Sequence, residues 1–164
     1  MFYSTPKTIS YCWNFGRLLG FILVNQIISG LVLTFFYDNR VFSSFQSLQL
    51  ILANSSWMFL LQSLHLNGAS FFFLFLFLHI AKGLFHKRFQ LKFVWTIGVS
   101  ILLISMLVAF MGYVLPFGNM SLWAATVITN LLGVIPYLGR DLVVWIWGGF
   151  LLRNRAVKLF FTFH

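Results

Sequence analysis

The sequence predicts an all-α transmembrane helical bundle: three complete spans, two interfacial helices and the start of a fourth span. Three observations lead there. Hydrophobic residues make up 60% of the 164 positions and charged residues only 8%, too few to build the charged shell of a soluble domain. From 93 to 139 the chain holds no Asp, Glu, Lys or Arg, and a span needs only about 20 apolar residues. The cations that remain sit at the ends of apolar runs, where they set membrane topology.

Residues 1–12 are polar and turn-like, with Pro6 and Lys7. A first span runs over 14–37, interrupted only by Arg17. The polar stretch 38–56 is a connection with room for a short surface helix. A second span covers 57–84 and ends in the basic turn of His86, Lys87, Arg88 and Lys92. The third covers 93–115 and is closed by Pro116, which cannot continue a helix. Two short amphipathic segments follow, 122–132 and 140–149, divided by Pro136 and Gly139. They read as interfacial helices with Trp145 and Trp147 at headgroup level. A new apolar run starts at Ala156.

The net charge of +9 does not imply nucleic acid, because the cations form no stripe on a soluble face. Cys12 stands alone, which excludes an internal disulfide and a multi-cysteine metal cage. The first apolar run lacks a small-residue cleavage site and is not a secretory signal. Lys7, Arg17, Lys82, Lys87, Arg88 and Lys92 place the N-terminus and the second turn on the cytoplasmic or matrix side. Arg140, Arg153, Arg155 and Lys158 fall on the other side, against the rule.

The second span carries His65 and His79, and 79 − 65 = 14. On a helix that is about 21 Å of rise and just under four turns, so both project from nearly one face. Histidine in hydrocarbon is costly and marks a functional site by default. Neutral imidazole is the usual nitrogen ligand of haem iron. The alternative is that each ring hydrogen-bonds a neighbouring helix, and for His86, in the basic turn, that plain reading stands. The flanking spans carry Gly16 with Gly30 and Gly98 with Gly112, each pair also 14 apart. Glycine leaves room for a flat porphyrin, although it is also common wherever membrane helices pack closely. Antiparallel neighbours put Gly30, His65 and Gly112 at one depth and Gly16, His79 and Gly98 at the other. Haem is the reading that explains both sets. His164, opening the fourth run on the side of His65, is the one candidate to face it. Met106 lies between the two depths and suits neither. The chain should therefore ligate at most one haem fully.

These residues resemble cytochrome b of the respiratory ubiquinol–cytochrome c reductase, over nearly the whole chain from Trp13 to His164. The matching pieces are WNFGRLLG at 13–20, HLNGASFFFLFLFLHIAKGL at 65–84, AFMGYVLPFGNMSLWAATVITNLLGVIP at 109–136, VVWIWGGF at 143–150 and FFTFH at 160–164. MGYVLP and ATVITNLL are nearer the mitochondrial form than the plastid one. The resemblance implies residues 1–164 as the N-terminal haem-binding part of a larger transmembrane domain, not active alone and lacking its C-terminal part. It implies two b haems in the complete protein, ubiquinol and ubiquinone as substrates, and an iron–sulfur (Rieske) subunit and cytochrome c1 as partners in the mitochondrial inner membrane. His65 and His164 would hold the low-potential haem, and His79 one side of the high-potential haem. Trp13 and Lys82 would lie near haem propionates. Phe110, Met111, Gly112, Tyr113, Trp123, Ala124, Ala125 and Ile128 would supply the quinol pocket. The chain departs from the family at Gln62 and Leu159, where arginines are usual, and at Phe117, Asn119, Ala124 and Val144. A haem-free packing subunit of a membrane complex is the rival reading. A transporter lacks support, since the chain has neither an inverted repeat nor an intramembrane acid.

Overall fold

A computed structural model describes residues 10–164; Pro6 and Lys7 lie outside the described residues. Those described form seven α-helices and no strand. They are α1 (Phe15–Thr34), α2 (Ser44–Asn54), α3 (Ser56–Phe85), α4 (Lys92–Val114), α5 (Asn119–Asn130), α6 (Gly139–Trp147) and α7 (Asn154–Phe163). Three helical stretches are long and apolar enough to cross a membrane: Tyr11–Thr34, Ser56–Phe85 and Lys92–Val114. The all-α fold with three spans is therefore as the sequence predicts.

The boundaries differ in instructive ways. A tight 3-10 turn, Tyr11–Asn14, leads into α1, and the helix stops at Thr34, three residues short of Tyr37. Tyr37 has another task. The half-buried Tyr37 donates its hydroxyl to the Leu115 carbonyl, and its ring stacks on Phe161 with centroids 5.7 Å apart. Burial pushes the Tyr37 phenol up to about 12. The connection does contain a helix, α2. Before it, Asp38 accepts hydrogen bonds from Arg40 at 2.6 Å and from Ser43 Oγ at 2.6 Å. The last apolar segment is helical from Asn154, whose side-chain oxygen accepts the Val41 N–H at 2.8 Å.

Those contacts hold the Asp38 carboxyl down to about 2, Arg40 contributing most and Ser43 next. A depressed carboxyl stabilises above its ordinary value, and the contribution is lost as pH falls. The connection should accordingly loosen between pH 3.8 and about 2. Pepsin cleavage at this connection should accelerate across that window in the native chain. The Asp38→Asn variant should show no such step, and a step of equal size in the variant would contradict the assignment.

The described residues sort into two compact units: 10–34 with Leu60–Leu103, and Phe35–Phe59 with Ile104–His164. In the second unit, α4 stops two residues before Pro116, as the restriction on residues preceding proline demands. Phe117 then turns through a positive φ of 48° and α5 begins. Met111 and Val114 of α4, Ala125 of α5 and Phe160 of α7 form its buried core. Beyond α5, a 3-10 turn at Leu131–Val134 brings α6 against it. The Trp147 indole N–H reaches Thr129 Oγ1 at 2.8 Å, so its polar edge is satisfied within the unit. Gly148 closes α6 with a left-handed φ of 76°, where only glycine avoids a steric penalty.

Candidate functional site

In the first unit, α1 and α3 place the two histidines against the two glycines that the spacing pairs with them. A Cβ built on Gly16 would stand 3.3 Å from His79 Cε1, and one on Gly30 would stand 3.1 Å from His65 Cε1. Both distances are tighter than ordinary van der Waals contact, so each imidazole occupies room that any larger residue would take. Gly98 has nothing within 4 Å of its Cβ position. In the second unit, a Cβ on Gly112 would collide with the His164 ring. The glycine pattern is thus a set of close approaches to imidazoles at three of its four positions.

Polar contacts fix two of the rings. Ser29 Oγ lies 2.9 Å from His65 Nδ1, and the Gln26 amide donates to the His65 backbone carbonyl at 2.9 Å. His164 Nδ1 stands 2.9 Å from the Val108 carbonyl oxygen. The sequence reading missed Ser29 and Gln26, although polar side chains within a span are a signal that could have found them. Val108 acts through its backbone, which no side-chain pattern reveals.

At the end of α3, Lys82 Nζ lies 3.7 Å above the Trp13 ring and the Arg88 guanidinium 4.8 Å from its centroid. The His86 ring adds a contact to Trp13 at 5.8 Å. No carboxylate pairs with these cations among the described residues; the one ion pair there joins Arg40 and Asp38. Gln62 is half-buried, and its side-chain oxygen has no hydrogen-bond partner.

The eight residues named for a quinol pocket divide. Met111 and Ala125 are core residues of the second unit, and Phe110 packs edge-on against Phe160 at 6.0 Å. Tyr113, Trp123 and Ile128 are exposed, with the Trp123 indole N–H bonded to Asn119. Gly112 and Ala124 are half-buried. A cleft of about 300 Å³ near Arg140, Val143 and Trp147 includes none of them.

The donor set, the glycine approaches and the unpaired cations beside Trp13 all fit a flat, carboxylate-bearing metal macrocycle. A family model described as Cytochrome b/b6/petB matches residues 1–164. A cytochrome b of Apis mellifera ligustica is 50% identical over 166 residues, covering 100% of this chain and 43% of that protein. A solved chain of a hyperthermophilic respiratory Complex III superposes with a TM-score of 0.85 at 26% identity, covering 98% of this chain and 44% of that one. The chain thus spans less than half the length of these relatives.

Proposed function

The chain belongs to the cytochrome b family, and on that premise we propose that it is the N-terminal, haem-bearing part of the cytochrome b of a respiratory ubiquinol–cytochrome c reductase. The observation that carries the reading is the seating of His65 and His79, fourteen residues apart on one helix, against Gly30 and Gly16. His65 and His164 are proposed as axial ligands of one b haem and His79 as a ligand of a second. When bound, haem supplies one-electron redox chemistry at each membrane face. The protein's part is ligation, spacing and insulation. Gly16, Gly30, Gly98 and Gly112 leave room for the macrocycles. Trp13 and Lys82 would lie near haem propionates, where Lys82, a cation in a low-dielectric site, would offset a carboxylate that water no longer solvates.

Ubiquinol is the proposed substrate, with a pocket drawing on Phe110, Met111, Tyr113, Trp123, Ala124, Ala125 and Ile128. A Rieske subunit and cytochrome c1 are the proposed partners, and the mitochondrial inner membrane the location. Reduced-minus-oxidised absorption of the purified complex should give a sharp b-type band that vanishes with His65→Leu and His79→Leu together. A full band in that double variant would refute the assignment.

Ala124 offers a test of the pocket. Its methyl should crowd methoxyacrylate-type inhibitors, making the native complex tolerant. Ala124→Gly should increase sensitivity by roughly tenfold or more, the effect of one methyl group in an apolar site. Equal inhibition of the two forms would remove Ala124 from the pocket.

A further inference from the structure

Ser29 is 2% exposed and carries one hydroxyl proton. That proton goes to the Asn25 carbonyl at 2.7 Å, one helical turn back, with the Gln26 carbonyl at 3.3 Å sharing it. Towards His65 Nδ1, at 2.9 Å, the hydroxyl oxygen can then only accept. With the hydroxyl proton assigned to the shorter Asn25 bond, Nδ1 is assigned the ring proton and Nε2 the lone pair. Gln26, three residues before Ser29 and on the same face of α1, holds the His65 carbonyl at 2.9 Å. Its amide also lies 3.0 Å from where Gly68 would carry a Cβ. One helix face therefore grips both the backbone and the ring of His65.

His164 reaches the same tautomer by another route. Its Nδ1 lies 2.9 Å from a backbone carbonyl, which cannot donate, so Nδ1 again bears the proton. His79 packs on Gly16 with no hydrogen bond to its ring among the described residues.

Building on the haem reading above, we propose that Ser29 is a positioning residue that fixes the His65 tautomer and lowers the reduction potential of the haem that His65 ligates. An acceptor on Nδ1–H raises the basicity of Nε2. A more basic ligand favours the ferric state, which carries one more positive charge than the ferrous. The Ser29 hydroxyl, polarised by its own donation to Asn25, is a better acceptor than a free hydroxyl.

The test is potentiometric titration of the b-type bands in the intact complex carrying Ser29→Ala, Ser29→Thr or Ser29→Cys. Ser29→Ala should shift the reduction equilibrium of one haem towards the ferrous form by roughly tenfold, about 59 mV for one electron, and leave the other haem unmoved. Ser29→Thr keeps the oxygen and should restore the native value. Ser29→Cys offers a weaker acceptor and should fall between. An unmoved midpoint in a fully loaded Ser29→Ala complex would overturn the proposal, as would equal shifts of both haems. If alanine empties the site, cysteine decides: an upward shift supports the proposal and an unchanged midpoint overturns it. His65→Leu separates this from the haem reading itself. Both haems surviving that change would refute the ligand assignment, whereas an unmoved midpoint beside a haem lost in His65→Leu would refute only the role of Ser29.

Discussion

Replacing Gly30 or Gly112 with leucine is expected to remove one of the two proposed b haems from the complex and leave the other in place. At Gly30 the first added carbon already stands 3.1 Å from the His65 ring, and at Gly112 it falls on the His164 ring. The remaining leucine carbons would fill more of the same space. The imidazole must swing away, and at Gly30 that breaks its bond to Ser29 as well. Cores do not absorb such additions cheaply, and the displaced histidine would no longer be placed to hold the proposed haem. Pyridine haemochrome analysis should report half the native haem in either variant. Gly20→Leu is the control, because Gly20 lies on the same helix with nothing within 4 Å. Full haem content in the Gly30 and Gly112 variants would end the glycine argument.

Gly139 should be the least replaceable glycine in the second unit. A Cβ there would collide with the Leu132 carbonyl oxygen and stand 2.7 Å from that of Gly133. Both neighbours are backbone, so no rotamer change can relieve the clash. The turn between α5 and α6 would have to open, and the contact of α6 with the 3-10 turn would go with it. Gly139→Val is expected to cost about 3 kcal/mol, the upper range for overpacking. Heating the solubilised complex should show haem loss at a distinctly lower temperature than in the native form. Gly133→Val, with nothing within 4 Å, serves as the reference. Equal thermal profiles for the two would mean that the turn yields more easily than its backbone contacts imply.

The spans were legible because the bilayer imposes a long apolar requirement that few other constraints can mimic. Pro116 marked the end of α4 to within two residues. The first span was read too long at its C-terminal end because Phe35, Phe36 and Tyr37 are as apolar as the helix before them. Composition cannot tell a helical aromatic from one folded back onto Leu115 and Phe161. The helix α2 was foreseen only as room for one, since 38–56 mixes polar and apolar residues without a clear stop. At the site, the histidines and glycines were visible through their shared spacing. Ser29 and Gln26 were not, because the spacing argument asks only which positions recur at fourteen. The Val108 carbonyl belongs to the backbone and carries no residue signature.

The helix α3 runs unbroken for 30 residues, about 45 Å. Between His65 and His79 it offers thirteen positions rich in phenylalanine and leucine. Many of those side chains could be exchanged for other apolar ones with little effect. Their number could not change. One inserted residue would carry His79 about 1.5 Å further and turn it by about 100°, away from Gly16 and onto another side of the helix. Mutational drift in this segment should thus proceed by exchange of letters and never by gain or loss of one, so the stretch is free in composition and fixed in count.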